Sequence, residues 1–307
     1  MQITAKVIQH SISAYTGKEI ITYELEYPRY IHAEFMTHRL FSRNAASSRA
    51  IPVETMHRQI LEHDVTFVHI GKNQPGMQAK EELEPSAKNI VLNAWRSARE
   101  YCIKMAATMA TAGAHKQLTN RVTEPWMMMK VVMTTTEDAN WDWLRRHLDA
   151  QPEIKVLADV MHEAKSASTP MEIGFGDWHV PYVTRYMDSS GIMFYGDDGN
   201  MSIEDARIVS ASCCAQVSYR KSDDSLEKAH AIFERLIGSE PVHASPIEHQ
   251  ATPIDYDMVI GTKDAPASLE KMAEFGITHL NVDSSLGSGN FRDWIQFRQL
   301  IPNNTKW

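Results

Sequence analysis

The sequence predicts an α+β fold, mostly helical with a small antiparallel sheet. Three observations carry that reading. Two β-rich segments open the chain around a Thr16-Gly17 turn. An alanine-rich stretch from Ser86 to Ala110 has sustained helical spacing. Further along, apolar residues at helical spacing fall between proline and glycine stops.

Ile3 to Ser13 and Glu19 to Tyr27 are rich in β-branched and aromatic residues and alternate in part. Each reads as a strand, and Pro28 ends the second. From Tyr30 to Ala46, Ile31, Phe35, Met36, Leu40 and Phe41 recur at helical spacing. A helix there would place Arg39 and Arg43 on one face. The Ser86–Ala110 helix has Ile90, Val91, Ala94, Ala98, Tyr101 and Met105 as its expected core face, with Gly113 just past its end. Pro125 suits a first helical position and predicts a helix running through the methionines to His147. Asp149 and Pro152 then punctuate before a helix from Glu153 to Ala164. Residues 166–200, with Pro170, Pro181 and five glycines, read as a loop-rich joint with a short strand at Ile192–Tyr195. Helices are predicted at Ile203–Tyr219 and Leu226–Ile237, the second with Asp224 as cap and Gly238 as stop. Asn290 to Leu300 reads as a last amphipathic helix. Its interleaved aromatics and arginines suit base stacking, but helix packing accounts for them equally well.

Lysines and arginines number 31 against 39 acids, a net charge of -8. That sign excludes coating of nucleic acid by bulk attraction and still allows a few arginines around one small anion. No apolar run approaches the ~18 residues of a membrane span, and the opening MQITAKVIQH lacks a signal peptide's apolar core. Neither membrane nor nucleic acid is an expected partner, and the expected location is cytoplasmic. Cys102, Cys213 and Cys214 form no C-x-x-C and no zinc spacing, so no metal is expected.

Three segments combine residue types suited to chemistry. In Thr37–Arg49, Arg39 and Arg43 precede Ser47, Ser48 and Arg49. Hydroxyls, backbone N–H groups and a guanidinium suit a phosphate, because arginine offers two parallel donors to its oxygens. A solvated basic helix with a polar turn explains the same residues. In His243–His249, Ser245, Pro246 and Glu248 read as a capping box, and the two histidines make no metal motif. In the third, Asn140 and Arg145 near a helix end can read the amide-like edges of a ring, while Trp141 and Leu144 read as core. Arg145 also complements a helix C-terminus. Arg121 is an isolated cation before Pro125.

Taken together, x-H-R-x-x-S-x-N-x-x-S-x-R at 37–49, H-x-S-P-x-E-H at 243–249 and N-x-x-x-x-R…A-Q-x-E-I from Asn140 to Ile154 resemble the signatures of the flavin-dependent thymidylate synthases. Ala215-Gln216-Val217-Ser218-Tyr219 looks like the family's A-R-V-S-Y stretch. The likeness covers roughly residues 20–165 and 209–253. In the family the S-P-x-E-H box precedes the H-R motif. Here it follows by about two hundred residues. This looks like a circular permutation, which chains tolerate when their termini lie close at the surface. The expected organisation is one domain over 1–307, with 166–200 joining the old ends and 254–307 as a C-terminal extension.

The resemblance implies roles residue by residue. Ser47 and Arg49 match nucleotide-phosphate contacts, Arg121 matches a further arginine at the nucleotide, Glu34 matches a position near the nucleotide, and Ser48 joins them as a substrate-binding candidate. Arg145 matches the arginine that holds and polarises the pyrimidine, so it is the catalytic candidate. His38, Arg39, Asn44, Asn140 and His243 match flavin-side positions. The implied reaction is reductive methylation of dUMP at C5, with FAD as cofactor and NADPH and methylenetetrahydrofolate as co-substrates. A homotetramer binding a pyrimidine deoxynucleotide monophosphate is the implied assembly. No enzyme thiol is needed, and Cys213-Cys214 read as buried fillers.

Five positions depart from the family pattern. Thr37 replaces the first arginine of R-H-R, Ala45 a glutamate, Glu34 a glutamine, Asp149 a histidine and Thr136 a second flavin-side arginine. Arg43 is the nearest candidate to compensate for the lost cations. Glu34 bears on base choice, since cytosine presents an amino donor where uracil presents a carbonyl. C5 methylation or hydroxymethylation of another pyrimidine deoxynucleotide such as dCMP therefore stays open, as does a non-catalytic nucleotide-binding homologue.

Overall fold

The computed structural model describes residues 2–217, 224–262, 265–266 and 268–305. Its centre is the expected hairpin. β1 (Thr4–Ser13) and β2 (Glu19–Pro28) pair antiparallel, and Gly17 takes a φ of 66° in the turn, a conformation open to glycine at no steric cost. β3 (Ser42–Ala45), β4 (Met128–Thr135) and β5 (Met171–Ile173) complete a sheet in the order β3-β4-β2-β1-β5. β4 runs antiparallel to β2 from Ile21↔Thr135 to Pro28↔Met128, and β3 pairs with its other edge from Ser42↔Thr134 to Ala45↔Val131. β5 lies parallel to the end of β1.

Strand alternation divides β2 between two faces. Ile21, Tyr23, Leu25 and Tyr27 join the main core, with Met129, Val131 and Met133 of β4. Thr22, Glu24 and Glu26 belong to the opposite, more polar face. Among the described residues, the sheet is accompanied by α1 (His32–Phe35), α2 (Val53–His63), α3 (Pro85–Thr111), α4 (Lys116–Thr119), α5 (Ala139–Arg145), α6 (Pro152–Ser166), α7 (Ile203–Ala215) and α8 (Leu226–Ile237). Short helices 256–260 and 269–274 follow in the C-terminal part. The class is α+β. Among the described residues, no helix is long and apolar enough to cross a membrane.

α6 and α8 lie where the spacing places them, although Ser225 rather than Asp224 holds the cap position of α8. In the joint, β7 (Met193–Tyr195) forms the expected short strand and pairs with β6 (Arg185–Met187). α7 ends at Ala215, and Ser218 and Tyr219 of the expected helix lie outside the described residues.

Four expectations are corrected. The segment from Tyr30 to Ala46 is not one helix: after a 3-10 turn at Arg29–Ile31 and the four-residue α1, the chain turns into β3. Polar side chains compete for the carbonyls a helix would use. Thr37 Oγ1 donates to Glu34 O at 2.7 Å, and Arg43 Nη1 donates to Phe35 O at 3.2 Å and His38 O at 2.9 Å. Arg39 and Arg43 therefore share no helix face.

The helix expected from Pro125 to His147 is instead β4 followed by α5. β4 is buried except at Lys130, and a strand covered on both faces reads as an apolar run with no alternation. Val131, Val132, Thr134 and Thr135 favour the extended form. α3 exists, yet its expected core face points outward, with Ile90 70% and Tyr101 63% exposed. Trp95 Nε1 donates to Val65 O at 2.7 Å, and Arg99 pairs with Asp64 at 2.5 Å, which turns the other side of the helix inward. Residues 290–300 form the short strands Phe291–Arg292 and Trp294–Gln296 and a 3-10 turn. Phe291, Trp294 and Phe297 are buried, so no stacking surface is presented there.

Candidate functional site

The two motif regions meet at the polar face of the sheet. The S-P-x-E-H box forms a 3-10 turn at Ser245–Glu248, beside β8 (Ala251–Pro253). Ser245 is not a cap. Its hydroxyl donates to Asn44 Oδ1 at 3.3 Å, across 201 residues of sequence. Asn44 Nδ2 donates to Cys214 O, which ties β3 to the end of α7. Gln296 Nε2 bridges Ser42 Oγ and Glu248 O, each at 3.1 Å. Glu248, read as part of the capping box, pairs with Arg298 instead. Burial pushes its carboxyl up even with that guanidinium beside it. Cys213 and Cys214 are buried as expected, and burial pushes the Cys214 thiol well up, away from nucleophilic use.

A second cluster forms around Arg145. α5 drives Trp141 into the core and brings Arg145 to the surface one turn later. Arg145 Nε donates to His38 Nε2 at 2.9 Å, and Nη2 donates to Thr37 Oγ1 at 3.4 Å. The His38 ring meets Trp141 edge-on at 4.7 Å and stacks on Phe41 at 5.7 Å. Burial, with Arg145 and Arg43 nearby, lowers the His38 pKa to about 4, so the ring is neutral and can accept from Arg145. Among the described residues no carboxylate pairs with Arg145, so its charge is held in place without being cancelled. Arg43 does not replace the missing cations. It turns inward to the Phe35 and His38 carbonyls and lies over the Phe35 ring at 5.9 Å.

The third cluster is the turn after β3. Ala50 N donates to Ser47 O at 2.9 Å, and Arg49 N to Ser47 Oγ at 3.3 Å. Asn120 Nδ2 clamps the turn through Ser48 O at 2.8 Å and Ile51 O at 2.9 Å. Ser48 is buried, and its hydroxyl donates to Glu124 at 2.6 Å, so it faces the interior rather than a phosphate. Arg121 and Arg29 reach the same carboxylate at 3.1 and 3.2 Å. Lys116 Nζ donates to Ala50 O at 2.9 Å, and Arg49 is exposed. Two cations, Arg121 and Arg29, thus pair with Glu124, and Lys116 and Arg49 at the same turn pair with no carboxylate among the described residues, which leaves the turn net positive. Glu124, Asn120, Arg29 and Lys116 escaped the motif reading. The i, i+3 spacing of Arg121 and Glu124 is the one sequence signal for them.

The remaining candidates do not converge so clearly. Glu34, Arg39, Asn140 and His243 are exposed. A cleft of about 250 Å³ adjoins the basic turn through Ala46 and Ile51, lined also by Glu24, Glu26, His63 and Lys130. A second, of about 230 Å³, lies between Lys18, Glu19, Asp138 and Lys165. None of the residues singled out for flavin or nucleotide lines either cleft. Both amide atoms of Asn44 already have protein partners.

No family model matches the chain, and no curated protein matches it. Among solved structures it is similar to a UMP/dUMP methylase PolB from Streptomyces cacaoi. Bound with 5-Br dUMP, that structure aligns at 16% identity and a TM-score of 0.44, over 54% of this chain and 90% of the other. Bound with 5-Br UMP, it aligns at 16% identity and a TM-score of 0.41, over 54% and 94%.

Proposed function

We propose that the chain binds a pyrimidine deoxynucleotide monophosphate and methylates C5 of its base, with dUMP as substrate, in the manner of the flavin-dependent thymidylate synthases it resembles. The observation that carries this reading is the meeting of the permuted motifs, where Ser245 of the box reaches Asn44 of the H-R segment at 3.3 Å. Segments that resemble one family's signatures in inverted order come together in space as one site requires.

The chain's own residues supply positioning and charge. Arg49 and Arg121, at the net-positive turn, draw the phosphate. Arg145, fixed by the neutral His38, holds donors toward a base carbonyl and stabilises negative charge that develops in the ring when C5 acts as nucleophile. FAD is the proposed cofactor, with NADPH and methylenetetrahydrofolate as co-substrates. The flavin-side residues His38, Arg39, Asn44, Asn140 and His243 line neither of the two clefts described; the reading has further copies close over them, and a homotetramer is the proposed assembly. Exposed Met36, Leu40, Trp143 and Leu144 around His38 and Arg145 give such a copy apolar surface to cover.

A second reading, with dCMP as substrate, is favoured by Glu34. Thr37 Oγ1 donates to Glu34 O and accepts from Arg145, so a carboxylate-bearing residue stands beside the ring-reading arginine. Incubation of dUMP and dCMP separately with methylenetetrahydrofolate, FAD and NADPH, followed by mass analysis, tests both. A methylated product from dUMP is expected. A product from dCMP alone supports the second reading, and repeated turnover of neither overturns both.

A further inference from the structure

The polar face of the sheet buries a chain of hydrogen bonds that no part of the proposed chemistry uses. Arg185 on β6 is half-buried and donates to Trp178 O and His10 O, each at 3.1 Å, and to Ser11 Oγ at 2.6 Å. Ser11 Oγ lies 2.7 Å from His179 Nδ1, and His179 Nε2 lies 2.8 Å from Thr22 Oγ1. Thr22 Oγ1 lies 2.7 Å from Thr134 Oγ1, which lies 2.9 Å from His249 Nδ1. Ser11, Thr22, Thr134, His179 and His249 are at most 1% exposed.

The chemistry of these groups decides the direction of every bond. A guanidinium can only donate, so Ser11 Oγ accepts from Arg185. Among the described residues, the remaining neighbour of the Ser11 hydroxyl is His179 Nδ1, which must therefore accept its hydrogen. A neutral imidazole then carries its proton on Nε2 and donates to Thr22. Thr22 donates to Thr134, Thr134 donates to His249 Nδ1, and His249 holds its proton on Nε2. That nitrogen is buried without a partner among the described residues. The reverse order would leave two groups unsatisfied, the Ser11 hydroxyl hydrogen and the His249 Nε2 lone pair. The forward order leaves one, and it also points each hydroxyl hydrogen away from the Arg185 charge.

We infer that Arg185, Ser11, His179, Thr22, Thr134 and His249 form one relay with a single direction, which fixes both histidines as neutral Nε2–H tautomers and makes Arg185 a positioning residue for the S-P-x-E-H box. The joint over 166–200 is thereby wired through three strands to the last residue of that box. The charged and titratable groups facing the relay are Arg185 from β6, with Asp177 and Tyr195 acting on its guanidinium, and His10 from β1, and no carboxylate pairs with either imidazole among the described residues. Burial lowers both imidazoles, His249 to about 3 and His179 well below its ordinary value, in accord with neutral rings. The inference concerns the protein's own protons and does not depend on which nucleotide the site takes.

Long-range proton–nitrogen correlation on protein labelled with ¹⁵N-histidine tests it without any substrate. Both rings are expected to show a bare Nδ1 and a protonated Nε2, unchanged between about pH 5 and 8. Thr134→Val is expected to release His249 into a mixture of tautomers while His179 keeps its own. Arg185→Met is expected to disturb both, and Arg185→Lys, which keeps a donor toward Ser11, to restore them. A protonated Nδ1 on either wild-type ring, or titration of either within that range, would overturn the relay. So would a His249 signal unmoved by Thr134→Val. If Arg185→Met does not fold, the wild-type and Thr134→Val spectra decide the matter alone.

Discussion

His38, His179 and His249 show how individual side chains in this molecule have their protonation set by surroundings. Each is pressed below the ordinary imidazole range, His38 to about 4, His249 to about 3 and His179 well below its ordinary value, in every case chiefly by burial. The sign follows from linkage. The unfolded chain takes up protons below its ordinary imidazole pKa of about 6.5, and the folded chain does not until pH nears the lowered values. Stability is therefore full above that ordinary value and is lost as pH falls toward 4 and below. Each fully buried histidine contributes at most about 1.4 kcal/mol per pH unit, and the partly exposed His38 contributes less. Thermal unfolding is expected to show a midpoint that drops between about pH 7 and 4.5, with a shallower drop in His249→Gln. A midpoint flat across that interval would show that the buried rings are already charged. Side-chain direction is also where sequence reading fell short. The Ser47-Ser48-Arg49 composition suits a phosphate, yet the Ser48 hydroxyl serves Glu124.

At the scale of elements, legibility followed solvent contact. β1 and β2 alternate where one side of the hairpin is covered less fully, and α6 and α8 carry clear stops and an apolar face, so all four could be read directly. β4 could not, because burial on both faces erases the period that separates strand from helix. The outward turn of α3 was hidden for a different reason: its orientation is set by Asp64 and the Val65 carbonyl, partners some thirty residues upstream. α5 couples stability to the site most directly. Its Trp141 is fully buried against Phe35, Phe41 and His38, while Arg145 on the same helix grips His38. Trp141→Ala is expected to cost about 3–5 kcal/mol in denaturant unfolding. It is also expected to raise the His38 pKa, followed by NMR, as water enters beside the ring. Retention of both stability and the His38 value would separate α5 from the site.

Across the whole molecule, the inverted order of the motifs and their joining in one domain are expectations the sequence supports, while the side-chain contacts by which they meet are not legible in it. Sequence places the S-P-x-E-H box about two hundred residues after the segment it ought to precede. Only the fold shows Ser245 of the box donating to Asn44 of β3 on the polar face of the sheet. The negative net charge of -8 fits this arrangement, because the basic turn needs only local excess of cations over Glu124. Calorimetric titration of the protein with dUMP tests the proposed nucleotide site most directly. Saturable binding is expected, weakened at least tenfold by Arg49→Ala and by Arg145→Ala and reduced by added salt, as phosphate recognition by exposed arginine requires. Absence of binding, or binding that both substitutions leave unchanged, would contradict the account.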